Sequence, residues 1–153
     1  MFWVTFVILM DQLSKMIVEK YLVQPFFAIP GILWFTYTRN TGIAFGMFSR
    51  SPWVLWITFA VTFLLAALPI FIRCSLLTRV GLQMVVGGAI GNMIDRFRFG
   101  YVVDFISVRY FPAIFNIADS FITIGGILIL LSLLRGERSF ADDGREKRSE
   151  PKT

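Results

Sequence analysis

Four stretches, residues 2–22, 53–72, 76–94 and 116–134, are dominated by apolar side chains, and in the last of them no charge follows Asp119 until Arg135. Each is close to the roughly 20 residues that a helix needs to cross about 30 Å of hydrocarbon. The whole chain of 153 residues is 56% hydrophobic with a mean hydropathy of +0.70, beyond the apolar share of an average soluble domain. A soluble domain of this size buries roughly two thirds of its chain's surface and must cover the rest with polar groups, yet the charges here gather in the last nineteen residues or in short loops. These features predict an α-helical polytopic membrane protein: four transmembrane helices in a single domain spanning 1–134, followed by a polar, disordered tail over 135–153. The first stretch lacks a basic leader and a small-residue cleavage site, and charged residues interrupt it, so it is expected to stay in the protein.

An even number of spans puts both termini on one side of the membrane. The tail carries six Lys or Arg, and Arg73 and Arg79 flank the second loop, which favours a cytoplasmic placement for both. Arg39, Arg50, Arg96, Arg98 and Arg109 lie on the outer side in this arrangement and weaken that bias. The net charge of +5 suits a protein lying against anionic lipid, and nothing in the sequence suggests a nucleic-acid partner. The chain is expected to act as a monomer, although the GxxxG step of Gly87 and Gly91 serves packing within one chain as readily as between chains.

Between the first two spans, WFTYT at 34–38 alternates bulky and β-branched residues, and RNTGIAFG at 39–46 brings two glycines and a return run, the pattern of a β-hairpin. Its aromatics Trp34, Phe35, Tyr37 and Phe45 suit the membrane interface. GYVVDFISVRY at 100–110 is a second extended run able to join the same sheet. A small β-cradle on the outer face follows.

The chain has no histidine and a single cysteine, Cys74, which excludes imidazole bases, the usual zinc sites and an intramolecular disulfide. Acid and base chemistry is left chiefly to carboxylates, and outside the tail there are five: Asp11, Glu19, Asp95, Asp104 and Asp119. In DQLSK, Asp11 and Lys15 are four apart and suited to an intrahelical ion pair, a reading preferred to a direct catalytic role. Glu19 suits an interfacial anchor. In GGAIGNMIDR, Asn92, Asp95 and Arg96 share a helical face, where a network clamping the outer loops stands beside substrate contact. Asn116 and Asp119 stand at a helix start, where capping alone accounts for both. Asp104 has no such explanation, because a carboxylate is disfavoured in an apolar extended segment.

Were Asp104 and Asp119 to converge, two like charges near low-dielectric lipid would not both ionise easily: one carboxyl keeps its proton while the other deprotonates a water. That is the arrangement of an aspartic-protease dyad, which needs no metal, serine, histidine or cofactor. A proton-coupled transporter built on Asp11, Lys15, Asp95 and Asp119 and a noncatalytic membrane scaffold are the competing readings. The first requires polar groups through the depth of the membrane, and the second leaves Asp104 unexplained.

Taken as an ordered set, DQLSK, RNTGIAFG, GGAIGNMIDR, GYVVDFI and FNIADS, spread over residues 11–120, resemble the lipoprotein signal peptidase (signal peptidase II) family of bacteria. The resemblance implies an inner-membrane aspartyl endopeptidase that removes signal peptides from diacylglyceryl-modified prolipoproteins, cutting before the lipidated cysteine. It implies Asp104 and Asp119 as the catalytic pair. Asp11, Lys15, Asn40, Asn92, Arg96 and Asn116 become supporting or substrate-binding positions, and Asp95 a structural one. The partners implied are the lipid-modified substrate and membrane lipid.

Overall fold

A computed structural model of the chain describes residues 1–41, 53–71 and 74–135. Phe45, the return run of RNTGIAFG after Thr41 and the tail beyond Arg135 lie outside the described residues. The described residues form four helices, α1 (Phe2–Tyr21), α2 (Trp53–Phe71), α3 (Leu76–Phe99) and α4 (Ile117–Leu134), and one three-stranded antiparallel sheet of β1 (Phe26–Ile29), β2 (Leu33–Asn40) and β3 (Val102–Val108).

Helices α1 and α4 bury small or polar residues and turn large apolar ones outward. On α1, Val7, Asp11 and Lys15 form the buried stripe at four-residue spacing, while Phe2, Leu9, Leu13, Met16 and Ile17 are exposed. On α4 the buried residues are Ala118, Gly125 and Ser132, and the outward ones include Ile127, Leu130, Leu133 and Leu134. A helix of a soluble protein shows the reverse. Among the described residues α4 alone is both long enough and apolar enough to qualify as a span by composition, with a shorter apolar stretch over Trp56–Phe71. Helices α1 and α3 miss that standard through their polar content, part of which, Asp11, Lys15 and Asp95, is buried in one ion cluster between them.

Helix α3 lies between α1 and α4, and glycines permit the approach. A side chain at Gly87 would meet Val7 Cβ at 2.9 Å and Val4 O at 3.0 Å; one at Gly88 would meet Ala118 O at 2.5 Å; Gly81 and Gly125 face each other across α3 and α4. The GxxxG step is therefore used inside the chain. Hydroxyls join the opposite end of the bundle: Ser75 Oγ and Ser132 Oγ are 2.7 Å apart, and Thr78 Oγ1 donates to Ser132 Oγ at 2.9 Å.

The first arm of the hairpin expected at 34–46 is β2, and its return run after Thr41 lies outside the described residues. Strand β2 pairs with β1, which precedes it, through the turn Ile29-Pro30-Gly31-Ile32, closed by Ile32 N–H donating to Ile29 O at 3.0 Å with Gly31 at φ +73°. Proline then glycine at the centre of a turn is the sequence signal for this geometry. The other edge of β2 takes β3, as the extended run at 100–110 suggests. Helix α3 runs beyond residue 94 to Phe99 and ends on Gly100, whose φ of +77° lets its N–H cap Arg96 O, so β3 starts almost at once.

A bulge in β2 between Phe35 and Thr38 shifts the register by one residue, giving Thr38↔Asp104 and Asn40↔Val102. Past β3 the chain folds back, and Phe115 pairs with Ile106 through hydrogen bonds of 2.8 and 3.0 Å. That bridge delivers Asn116 and the start of α4 to the flank of Asp104.

Candidate active site

Asn116 is fully buried and touches both carboxylates of interest. Its side-chain Nδ2 donates to Asp104 Oδ1 at 2.7 Å, and its backbone N–H donates to Asp119 Oδ2 at 3.2 Å. Its Oδ1 accepts the Asp119 N–H at 2.9 Å, completing a reciprocal capping box on α4. Capping and assembly of the carboxylate pair are thus the same set of bonds, and the two explanations of Asn116 and Asp119 do not compete.

Each carboxylate has a further amide partner. Asn40 Nδ2, at the end of β2, donates to Asp104 Oδ2 at 2.9 Å, and Asn92 Nδ2, on α3, donates to Asp119 Oδ1 at 2.8 Å. Asp104 is 2% exposed, whereas Asp119 is half-buried and lines a cavity of about 450 Å³ with Val108, Phe111, Phe115, Thr123 and Ile124. Burial, reinforced by the negative charge of Asp119, pushes the Asp104 carboxyl up to about 6, against the opposing effect of the Asn40 and Asn116 hydrogen bonds. Below that pH the pair can hold one proton and one charge, the condition for acid and base to act together.

Beneath this pair lies a buried ionic cluster. Lys15 Nζ stands 2.8 Å from both Asp11 Oδ2 and Asp95 Oδ2, and it donates to Asn92 Oδ1 at 3.0 Å. Asp11 Oδ1 accepts the Ala118 N–H at 3.0 Å, and Asp95 Oδ2 accepts the Val103 N–H at 3.1 Å. Asp11 and Lys15 form the intrahelical pair suggested by their spacing, and through Asp95 they also join α1 to α3. Arg96 lies above, with Nη1 donating to Asn92 O at 3.4 Å and with Asp119, Asp104 and Asp95 as its electrostatic neighbours.

All eight residues singled out in the sequence, Asp104, Asp119, Asp11, Lys15, Asn40, Asn92, Arg96 and Asn116, belong to this one connected region. Gln12 belongs there too and was not singled out: its Nε2 reaches Asp95 Oδ1 at 3.0 Å and Gly91 O and Asp11 Oδ2 at 3.2 Å. The signal available was its place inside DQLSK, next to Asp11.

The family model described as signal peptidase (SPase) II matches residues 3–135. The chain belongs to the signal peptidase II family. A lipoprotein signal peptidase of Caldanaerobacter subterraneus is 45% identical over 130 residues, covering 82% of this chain and 89% of that protein. One from Trichormus variabilis is 42% identical over 145 residues, covering 88% and 90%. Two solved structures, each described as a bacterial membrane enzyme, superpose with TM-scores of 0.79 and 0.76 at 37% and 35% identity. The first covers 87% of this chain and 90% of the other, and the second covers 99% and 93%. Signal peptidase II enzymes are aspartic-type endopeptidases, which accords with a site whose ionisable groups are carboxylates, one lysine and one arginine.

Proposed function

We propose that this chain is a membrane aspartyl endopeptidase that removes the signal peptide from diacylglyceryl-modified prolipoproteins, cutting the bond before the lipidated cysteine with Asp104 and Asp119 as its dyad. The observation carrying the dyad is Asn116, a single buried residue bonded to both carboxylates. Asp119 is the base: it is the more exposed of the two and lines the cavity of about 450 Å³ from which a water and the scissile bond can reach it. Asp104 is the acid, since burial favours its protonated form.

In the reaction Asp119 takes a proton from water as the oxygen adds to the scissile carbonyl carbon, and Asp104 donates a hydrogen bond to the developing oxyanion. Asp119 then passes its proton to the cysteine nitrogen as the C–N bond breaks, giving a signal peptide with a free carboxylate and a lipoprotein with a free amine. Asn40, Asn92 and Asn116 hold the two carboxylates, while Lys15, Asp11, Asp95 and Gln12 hold the helices that carry them. Arg96 complements the negative charge.

All four helices are proposed to span a bacterial inner membrane, a reading supported by their outward apolar faces and by lengths of about 27–36 Å at 1.5 Å per residue. Residues 1–134 form the catalytic unit of a monomer with both termini cytoplasmic and the sheet outside. A substrate held by two acyl chains then arrives laterally at the depth of the dyad. A transport relay has less support: the buried carboxylates collect at one end of the bundle, and the other end carries the Ser75, Thr78 and Ser132 hydroxyls.

The deciding experiment is a gel-shift assay in detergent on a diacylglyceryl-modified prolipoprotein with wild type, Asp104→Asn and Asp119→Asn. Cleavage by wild type that both folded variants lose supports the dyad. Unimpaired cleavage by either variant, or none by wild type beside an active control enzyme, overturns it.

A further inference from the structure

Away from the dyad, the outermost turn of α1 and the linker Leu22–Pro25 border two cavities that share those linker residues. One, about 720 Å³, is apolar, with Ile17, Val18, Phe26, Phe35 and Phe105 in its wall. The other, about 530 Å³, is polar, with Glu19, Thr36, Tyr37, Arg39 and Tyr101. The two adjoin along Leu22–Pro25, so a ligand laid across that linker would meet an apolar wall on one side and a charged one on the other.

The charged side is organised. The Arg39 guanidinium lies over the rings of Tyr101 and Tyr37, 5.1 and 5.7 Å from their centroids, and the two phenol oxygens are 3.3 Å apart. Stacking of this kind holds an arginine while its N–H edge still faces outward. Glu19 supplies the opposite charge across the cavity. Among the described residues the ion pairs within 4 Å are those of Lys15 with Asp11 and Asp95, so Glu19 and Arg39 do not pair with each other. A separated cation and anion above an apolar trough complement a zwitterion with a hydrocarbon tail.

We propose that these adjoining cavities bind a zwitterionic aminophospholipid of the outer leaflet, its phosphate on Arg39 with the Tyr37 and Tyr101 hydroxyls, its ammonium on Glu19 and an acyl chain against Phe26, Phe35 and Phe105. The diacylglyceryl group of the substrate carries no phosphate and no ammonium, so it does not satisfy both ends. Bound lipid ties α1 to the strand whose next residue, Asn40, holds Asp104.

The test is native mass spectrometry of the delipidated full chain in detergent, titrated separately with phosphatidylethanolamine, phosphatidylcholine and phosphatidylglycerol, with thermal unfolding in parallel. Wild type should bind phosphatidylethanolamine about tenfold more tightly than either of the others, the ratio that one well-placed charged contact gives, and its Tm should rise with that lipid. Arg39→Gln should weaken all three lipids. Glu19→Gln should abolish only the preference for the ethanolamine headgroup, at unchanged fold since both positions are exposed. Equal affinity for the three headgroups, or wild-type binding by Arg39→Gln, overturns the proposal. So does a photocrosslinker at Thr36 that captures the prolipoprotein peptide in place of phospholipid. Each readout is a binding measurement, so it stands or falls apart from whether the chain cleaves prolipoproteins.

Discussion

Gly88 offers a way to move the base without touching it. A Cβ there would lie 2.5 Å from Ala118 O and 2.7 Å from Ile122 Cγ1. The isoleucine can rotate away, but the carbonyl belongs to the first turn of α4 and cannot. Restoring ordinary contact in Gly88→Ala requires α3 and α4 to separate by roughly 0.9 Å at that point. Overpacking of this size costs about 1–3 kcal/mol, offset by about 1 kcal/mol for replacing glycine with alanine inside a helix, so the net loss of stability is only about 0–2 kcal/mol. Catalysis should suffer far more. Asp119 follows Ala118 directly, its Oδ1 is bonded to Asn92 on α3, and a displacement of about 1 Å in a reacting group costs on the order of 100-fold. Initial rates on a lipidated prolipoprotein at saturating substrate, with Tm measured on the same preparation, should show kcat down about 100-fold and Tm lowered slightly. Gly126→Ala, where a Cβ meets nothing within 4 Å, should keep both. A Gly88→Ala enzyme with wild-type kcat would refute the claim that the α3–α4 spacing sets the geometry of the pair.

Asn116→Ser keeps an oxygen able to cap α4 but removes the amide donated to Asp104, Asn92 and Val103 O; kcat should fall at least tenfold with a stability loss of about 1–3 kcal/mol, whereas Asn116→Ala should lose about 1 kcal/mol more, as thermal unfolding would record. The pH profile of kcat/KM for the free enzyme should descend as pH rises through about 6, where Asp104 loses its proton. In kcat the descent should move to higher pH because bound lipid deepens burial and favours the neutral acid; a kcat/KM that keeps rising from pH 5 to 8 would overturn the assignment of Asp104 as the acid. Lys15→Met leaves Asp11 and Asp95 buried without their cation and should cost about 3–5 kcal/mol, with Asp11→Asn and Asp95→Asn together restoring part of the lost Tm.

Much of this arrangement is legible along the chain because it is local. The charge-free run after Asp119 and the Asn116–Asp119 spacing lead to α4 and its cap, and an aspartate in an apolar strand singles out Asp104. What brings these two together is not local. It depends on Phe115 pairing back onto Ile106 and on Gly88 admitting the Ala118 carbonyl, contacts between distant segments that leave no periodic trace. Hydropathy is least informative for α1 and α3 for a related reason: Asp11 and Lys15 pair within α1, but Asp95 on α3 meets its cation Lys15 only across the two helices, so either helix read alone looks too polar to span. The β1–β2 turn has its own local signal in Pro30-Gly31, a proline followed by a residue free to take positive φ.

The ionic cluster also decides how the amides above it point. Asn92 Oδ1 accepts from Lys15 Nζ at 3.0 Å and from Asn116 Nδ2 at 3.1 Å, and an amide whose oxygen faces two donors must turn its NH2 the other way. That way lies Asp119 Oδ1 at 2.8 Å. Asn116 is committed likewise, its oxygen on the Asp119 N–H and its NH2 shared among Asp104, Asn92 and Val103 O. Neither amide can flip without setting oxygen against oxygen. A buried ion pair is weak evidence for stability, and an apolar contact between α1 and α3 could supply packing of similar worth. It could not orient Asn92, so the retention of Lys15 between two aspartates is explained by the direction it gives the hydrogen bonds that hold Asp119 and, through Asn116, Asp104.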